Sequence, residues 1–337
     1  MLRYSGRMSA KPVTVVGAGI IGASIARRLA EAGRKVRLID AHTPGRGATH
    51  AAAGMLAAGE YDADSVWLRL GLRSMALYPE WVRELEEESG LKIDFSLCGA
   101  IEKADGDSAD FACRCERQRR LGIPCEIRDD GAFFPGAEAF FPGDGLVDPR
   151  GLFQALLASC RRLGVEVVGN TPVERIDDAE GPVVIAAGAW SGAIPVFSGA
   201  RQLRLPGTVP VKGHLIGYSL APRSLPHILR CGHSYIVQRA NGFTIAGSTS
   251  EQVGFDNTVD EALCLEIRRA AGRLWPELEQ HEPTEAWIGF RPLSETGEPA
   301  IGMVDGTGIC LAYGHYRSGI LLAPVTAEIV AESILAS

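Results

Sequence analysis

Val13-Thr-Val-Val16, then Gly17-Ala-Gly-Ile-Ile-Gly22, and further on Val36-Arg-Leu-Ile39-Asp40 make up the stretch from which the fold is read. Four successive β-formers read as a buried parallel strand. Ala23 to Ala32 reads as a helix with a small-residue face, stopped by Gly33, and Val36 to Ile39 as a second strand. The glycines between strand and helix have G-x-G-x-x-G spacing. Gly17 permits the tight turn, Gly19 lets backbone approach a pyrophosphate, and Gly22 lets helix pack on strand. The pyrophosphate would rest on the N–H groups and positive dipole of the helix start. Asp40, closing the second strand, would accept hydrogen bonds from an adenosine ribose, and its charge would repel a 2′-phosphate, which excludes NADP.

Outward from this βαβ unit, residues 41–60 read as a Gly/Ala-rich loop leading into a small-residue helix, followed by a helix at about 64–89 with Trp67, Leu70, Met75, Tyr78, Trp81 and Leu85 near one face. Short strands and a charged helix near 107–121 come next. Asp148-Pro149 then opens a helix ending at Gly164, and Val165–Val168 is a strand. Pro182 to Ala187 is a buried strand closed by Gly188, where the chain returns to the dinucleotide unit. Residues 200–288 alternate in short strands, with a helix at about 260–273, and suggest an antiparallel sheet. Gly308–Tyr313 is a last strand, and Pro324–Ala336 a closing helix. A simple NAD dehydrogenase would not need its last strand and helix to return to the first. Glycine-edged Gly314-His-Tyr-Arg-Ser-Gly319 can present a helix N-terminus to the pyrimidine side of a flavin, so FAD is favoured over NAD.

The totals agree. The 337 residues are too many for one core, and 46% hydrophobic with 22% charged is ordinary globular composition. A net charge of −7 with no basic stripe argues against a nucleic-acid partner. No run reaches the roughly 18 apolar residues of a membrane span, and residues 1–10 read as a disordered leader without a secretory core, Met8 being an alternative start. A cytoplasmic location follows. The eight cysteines are scattered, and Cys113-Arg-Cys115 lacks CxxC spacing, so no metal or disulfide is expected.

Four motifs in order then carry a resemblance: Gly17-Ala-Gly-Ile-Ile-Gly22, Ala48-Thr-His-Ala-Ala-Ala-Gly54-Met55-Leu56, Trp287-Ile-Gly-Phe-Arg291-Pro292, and Gly314-His-Tyr-Arg-Ser-Gly-Ile-Leu-Leu-Ala-Pro324. Together they resemble the D-amino-acid oxidase superfamily, and within it the glycine oxidases of thiamine (thiazole) synthesis. The resemblance implies an α/β FAD-binding Rossmann-like fold of glutathione-reductase type, with an inserted α+β substrate domain on an antiparallel sheet. The FAD-binding domain would comprise 11–75, 146–199 and 291–337, and the substrate domain 76–145 and 200–290. Noncovalent FAD would be lined by Gly17, Gly19, Ile20, Ile21 and Gly22, by Asp40 and Ala41, by Ala48, Thr49, Ala53, Gly54 and Met55, by Val173 and Gly188, and by His315, Tyr316, Arg317, Ser318, Gly319, Ile320 and Leu321. Relatives that tether flavin use a cysteine near Arg291; none lies between 265 and 309 here.

For the substrate, the resemblance points to Arg291 as the carboxylate clamp, since a guanidinium fork binds carboxylate bidentately. Tyr235 would support the same carboxylate, Arg317 would close the entrance, His233 would lie nearby, and Met55 would limit pocket size. The implied reaction is oxidative deamination of a small amino acid or amine (glycine, sarcosine or a small D-amino acid) by molecular oxygen, giving a 2-oxo acid, ammonia and hydrogen peroxide. No protein acid or base is assigned, because orientation and desolvation lower the barrier. Three positions depart from the glycine-oxidase pattern and bear on substrate size and polarity: His214 for Gln or Glu, Gln238 for Pro, and Ser250 for an apolar pocket residue. The rival readings are an FAD-dependent D-amino-acid dehydrogenase feeding a quinone, a flavin-binding domain without amine-oxidase activity, and an NAD dehydrogenase, which would be colourless. The preferred amino acid and the oligomeric state, homo-oligomer included, stay open.

Overall fold

A computed structural model describes residues 11–58, 63–128, 133–134, 136–177 and 181–337; the expected leader 1–10 lies outside the described residues. The βαβ unit is β1 (Val13–Val16), α1 (Ile20–Glu31) and β2 (Val36–Ile39). The short α2 (Ala48–Ala51) and β3 (Met55–Leu56) follow, then α3 (Val66–Ser89), β4 (Phe95–Ser96) and β5 (Ala100–Lys103). Next come α4 (Ser108–Arg120), β6 (Glu126–Arg128), β7 (Glu138–Phe141), β8 (Gly145–Val147) and α5 (Pro149–Arg162). The parallel layer resumes with β9 (Glu166–Val168) and β10 (Val183–Ile185), after which β11 (Phe197–Ser198) and β12 (Arg201–Gln202) form a small hairpin. The second half holds β13 (Thr208–Ser219), β14 (Ile228–Cys231), β15 (Ser234–Gln238), β16 (Phe243–Gly247), α6 (Glu261–Leu274) and β17 (Glu285–Ser294). The chain ends in β18 (Ala300–Met303), β19 (Ile309–Tyr313) and α7 (Ala323–Ala336).

Two sheets organise these elements. The first has six strands in the order β18-β19-β10-β1-β2-β9, parallel except for β18. Strands β10 and β19 are buried throughout, and in β1 only Thr14 interrupts the apolar run; Val13, Val15 and Val184 are fully buried. Each such side chain contributes about 1.5–3 kcal/mol. The second sheet has eight strands in the order β17-β13-β16-β15-β14-β5-β7-β6, antiparallel except where β14 meets β5. Together they form an α/β fold in which the antiparallel sheet is inserted between segments of the parallel layer. A three-stranded ribbon, β3-β8-β4, lies apart from both sheets.

Three expectations change. Residues 55–56 are a strand, since Met55 and Leu56 pair with Leu146 and Gly145 of β8, and the α-helix among the described residues of that loop is the single turn of α2. Helix α3 runs unbroken across residue 75, and its second half belongs with the parallel layer. The buried Arg27 of α1 donates to Glu88 Oε1 and Oε2 at 2.7 and 2.9 Å and to Glu84 at 3.1 Å. Strand β17 likewise crosses 290–291, so the expected boundaries fall inside elements. No helix among the described residues is long and apolar enough to cross a membrane.

Candidate functional site

A cavity of about 820 Å³ starts at the turn after β1, runs along the ends of the parallel strands and ends against β13, β15 and β17. At its first end Gly17, Gly19, Ile20, Ile21, Asp40 and Ala41 line it. Gly17 has φ +103, and a Cβ there would lie 2.3 Å from Ala186 O. Gly22 lies behind the cavity wall, where a Cβ would meet Gly17 O at 1.9 Å; its glycine permits the close packing of helix on turn. Asp40 is held by two backbone donors, Ala18 N to Oδ2 at 2.7 Å and His42 N to Oδ1 at 2.9 Å. Each carboxylate oxygen retains capacity for a second bond from the cavity side.

Ala48, Thr49, Ala53, Gly54 and Met55 form the next stretch of wall, with Val173 and Gly188 opposite. Thr49 Oγ1 accepts from Ile20 N at 2.9 Å and so fastens this loop to the start of α1. Gly54, at φ +94, has no room for a side chain, since a Cβ would lie 1.9 Å from Val147 O. Buried Arg239 holds the same turn from the far side, donating to Ala53 O at 3.1 Å, Val147 O at 3.3 Å and Asp148 Oδ1 at 2.5 Å. Sequence reasoning missed Arg239, because only the fold brings it to residues 186 positions away.

His315, Tyr316, Arg317, Ser318, Gly319, Ile320 and Leu321 all face the cavity. They are a 3-10 turn at 316–318 and a tight connection rather than the start of an α-helix, which begins only at Ala323. His315 is 1% exposed, and its Nε2 shares a hydrogen bond with Thr326 Oγ1 at 3.0 Å. Burial pushes its imidazole down to about 3, so the ring beside the cavity is neutral.

Met55, Tyr235, Arg291 and Arg317 also line this cavity. His233 is not among them. Strand β15 begins only at Ser234, so His233 lies in the Gly232-His233 hairpin turn, exposed, without the in-out alternation that would have aligned it with Tyr235. Ser250 is also exposed and away from the cavity, whereas Ser248 lines it. Arg291 donates through Nη2 to Ser248 Oγ at 2.9 Å and through Nη1 to Thr249 O at 3.0 Å. Its guanidinium lies over Gly213, where a Cβ would come within 2.3 Å. That glycine inside a strand was the available signal for a close approach. Gln238 and His214 face other parts of the protein. Gln238 bonds Leu225 N, Ser224 and Thr244, and His214 is fully buried on the opposite face of β13. Trp190 and Phe290, also in the lining, meet Phe255: Trp190 stacks on it at 4.8 Å and Phe290 meets it edge-on at 5.4 Å.

The arrangement is thus a nucleotide-type backbone cradle joined to a pocket with a fixed guanidinium. Glycines leave room for a ligand's phosphates, and the cavity is long enough to join the βαβ turn to Arg291, so the residues fit FAD with a small carboxylate beside it.

Comparison with known proteins agrees with this geometry. Residues 12–333 match the family of FAD dependent oxidoreductases known as DAO. The chain is 32% identical to glycine oxidase of Geobacillus kaustophilus, over 96% of this chain and 92% of that one. It is 32% identical to the bifunctional protein ThiO/ThiG of Trichormus variabilis over 96% of its own length, but spans only 53% of that longer protein. The crystal structure of the Geobacillus kaustophilus glycine oxidase superposes with a TM-score of 0.89 at 31% identity, covering 96% and 94% of the two chains.

Proposed function

This chain belongs to the FAD dependent oxidoreductase (DAO) family, and from that premise we propose that it is a glycine oxidase, deaminating glycine or a similarly small amine in the cytoplasm. One observation carries the reading: a guanidinium fixed at the end of the cavity whose other end is the βαβ glycine turn. Bound FAD would supply a two-electron acceptor for the α-carbon's hydride, with oxygen as the final acceptor, so that the net products would be a 2-oxo acid, ammonia and hydrogen peroxide.

The chain's own residues bind and orient. Arg291 pairs with the substrate carboxylate, and because its fork is held by Ser248 and Thr249 the carboxylate has one preferred orientation. Tyr235, 8% exposed and lining the same end, supports that carboxylate. Met55 narrows the pocket above the substrate, which favours a hydrogen or a methyl at the α-carbon or nitrogen. Arg317 stands at the entrance. His315, neutral by burial, brings no positive charge to the cavity wall. A larger role in supplying thiazole synthesis for thiamine fits the likeness to about half the length of the bifunctional protein ThiO/ThiG.

The test is a peroxide assay on the flavin-containing protein with glycine, sarcosine and D-alanine under air. Glycine is expected to yield peroxide and ammonia in equal amounts. Flavin-loaded protein that forms no peroxide from any of the three would overturn the proposal.

A further inference from the structure

The ladder between β13 and β16 contains an irregularity behind Arg291. Leu215 pairs with Gly247, and the next pair is Lys212 with Glu251. Two residues of β13, Gly213 and His214, therefore face three on the returning strand, Ser248, Thr249 and Ser250. A β-bulge of this kind re-aims side chains at the cost of ladder bonds. Here it turns Ser248 Oγ and Thr249 O toward the Arg291 guanidinium across the space left by Gly213.

The bulge is held from the other face of the sheet. His214 N, which has lost its ladder partner, donates to Thr249 Oγ1 at 2.9 Å. Thr249 Oγ1 donates to Glu251 Oε1 at 2.6 Å, and His214 Nδ1 lies 2.9 Å from the same oxygen. His214 Nε2 accepts from Asp260 N at 3.0 Å. A backbone N–H can only donate, so Nε2 is an acceptor and the neutral ring carries its proton on Nδ1, aimed at Glu251. One residue along β13's same face, Lys212 is buried and its Nζ donates to Asp256 Oδ2 at 2.7 Å, fastening the rest of the loop. His214 is fully buried and reaches no cavity atom, so its polar bonds all serve this loop.

We propose that His214 and Glu251 are positioning residues for the carboxylate clamp: through Thr249 they lock the bulge that orients Arg291. The inference rests on the reading of Arg291 as the carboxylate-binding group. Loosening the bulge lets the fork turn, which weakens binding of any carboxylate and lets the bound carboxylate take more than one orientation.

The experiment uses the flavin-loaded enzyme and two readouts: steady-state kinetics with glycine, and titration with acetate, a carboxylate that cannot be oxidised, followed by perturbation of the flavin absorption. His214→Ala and Glu251→Ala are expected to raise the glycine KM and the acetate Kd in parallel, on the order of tenfold, with a smaller fall in kcat. Glu251→Gln keeps an oxygen that accepts from both Thr249 and His214 and is expected to restore both values. Arg291→Ala is the reference. If it leaves both values unchanged, the reading of the clamp fails. If it raises both while flavin-loaded His214→Ala and Glu251→Ala match the parent, the positioning role is overturned, whatever their melting temperatures. A His214→Ala protein that does not fold leaves the Glu251 pair to decide, with the same two outcomes.

Discussion

The two ends of the cavity are built by opposite means. The nucleotide end is local and made of backbone: β1, the glycine turn, α1 and β2 form one short stretch, and the bond from Ala18 N to Asp40 spans 22 residues. The substrate end is assembled from side chains on β13, β15, β17 and the bulge after β16, and the bond from Arg291 to Ser248 spans 43. Steric exclusion governs the first, so substitution there acts in an all-or-none way. Polar geometry governs the second, where effects are graded. Four measurements probe this difference.

The largest effect is expected at Gly17. An alanine there would place its Cβ 2.3 Å from Ala186 O, in backbone that cannot shift without breaking the β1–β10 register, and at φ +103. The combined clash and strain cost about 3 kcal/mol or more. Gly17→Ala is expected to be purified without flavin and to melt well below the parent. Gly33→Ala is the control: φ is +78 but nothing lies within 4 Å of the added methyl, so only the left-handed backbone strain of about 1 kcal/mol remains and flavin is kept. Equal flavin content in the two variants would refute the steric account.

At the other end, Arg291→Ala is expected to leave flavin content as in the parent while weakening carboxylate binding by about 2–5 kcal/mol, because Ser248 Oγ, Thr249 O and the substrate lose their common partner. Flavin content by absorbance and the glycine KM are the two measurements. Loss of flavin together with substrate affinity would mean that the two ends are not separable. The His214 and Glu251 variants lie between this effect and none.

The same division explains what could be read from the chain. The glycine spacing, the strand patterns and Asp40 are contiguous, so the βαβ unit was legible, whereas the order of the strands in its sheet was not. Arg291, Tyr235 and the 315–321 turn were recognisable as motifs, and the cavity gathers them. What escaped depended on pairing. The place of His233 in a turn follows from where β15 starts, the bulge at 248–250 from the register of two distant strands, and Arg239's hold on the Gly54 turn from a contact no local pattern encodes. His214 was visible as an unusual residue, but period-2 alternation alone, without the partner strand, did not reveal that it faces away from the cavity.

His315 joins the two ends, and its effect is the smallest of the series. It pairs with Leu293 of β17 in the substrate sheet and hydrogen-bonds Thr326 of α7 in the parallel layer. In the unfolded chain its imidazole titrates near the ordinary 6.5, and in the folded protein burial moves this to about 3. Between those values the unfolded chain holds a proton that the folded protein does not, so its contribution to stability is whole above about pH 6.5 and is lost as the pH falls toward 3. The loss is at most ~1.4 kcal/mol per pH unit in that window. His50, whose imidazole is also lowered by burial with Arg150 and Arg46 nearby, adds a fall of the same sign, so the parent's slope alone assigns nothing. The difference does: His315→Gln keeps a polar atom for Thr326 and no longer titrates, and its melting temperature is expected to fall less than the parent's between pH 7.5 and 5.5. Parallel falls would mean that a proton on His315 is tolerated in the folded state, and that the seam between the sheets is looser than its burial implies.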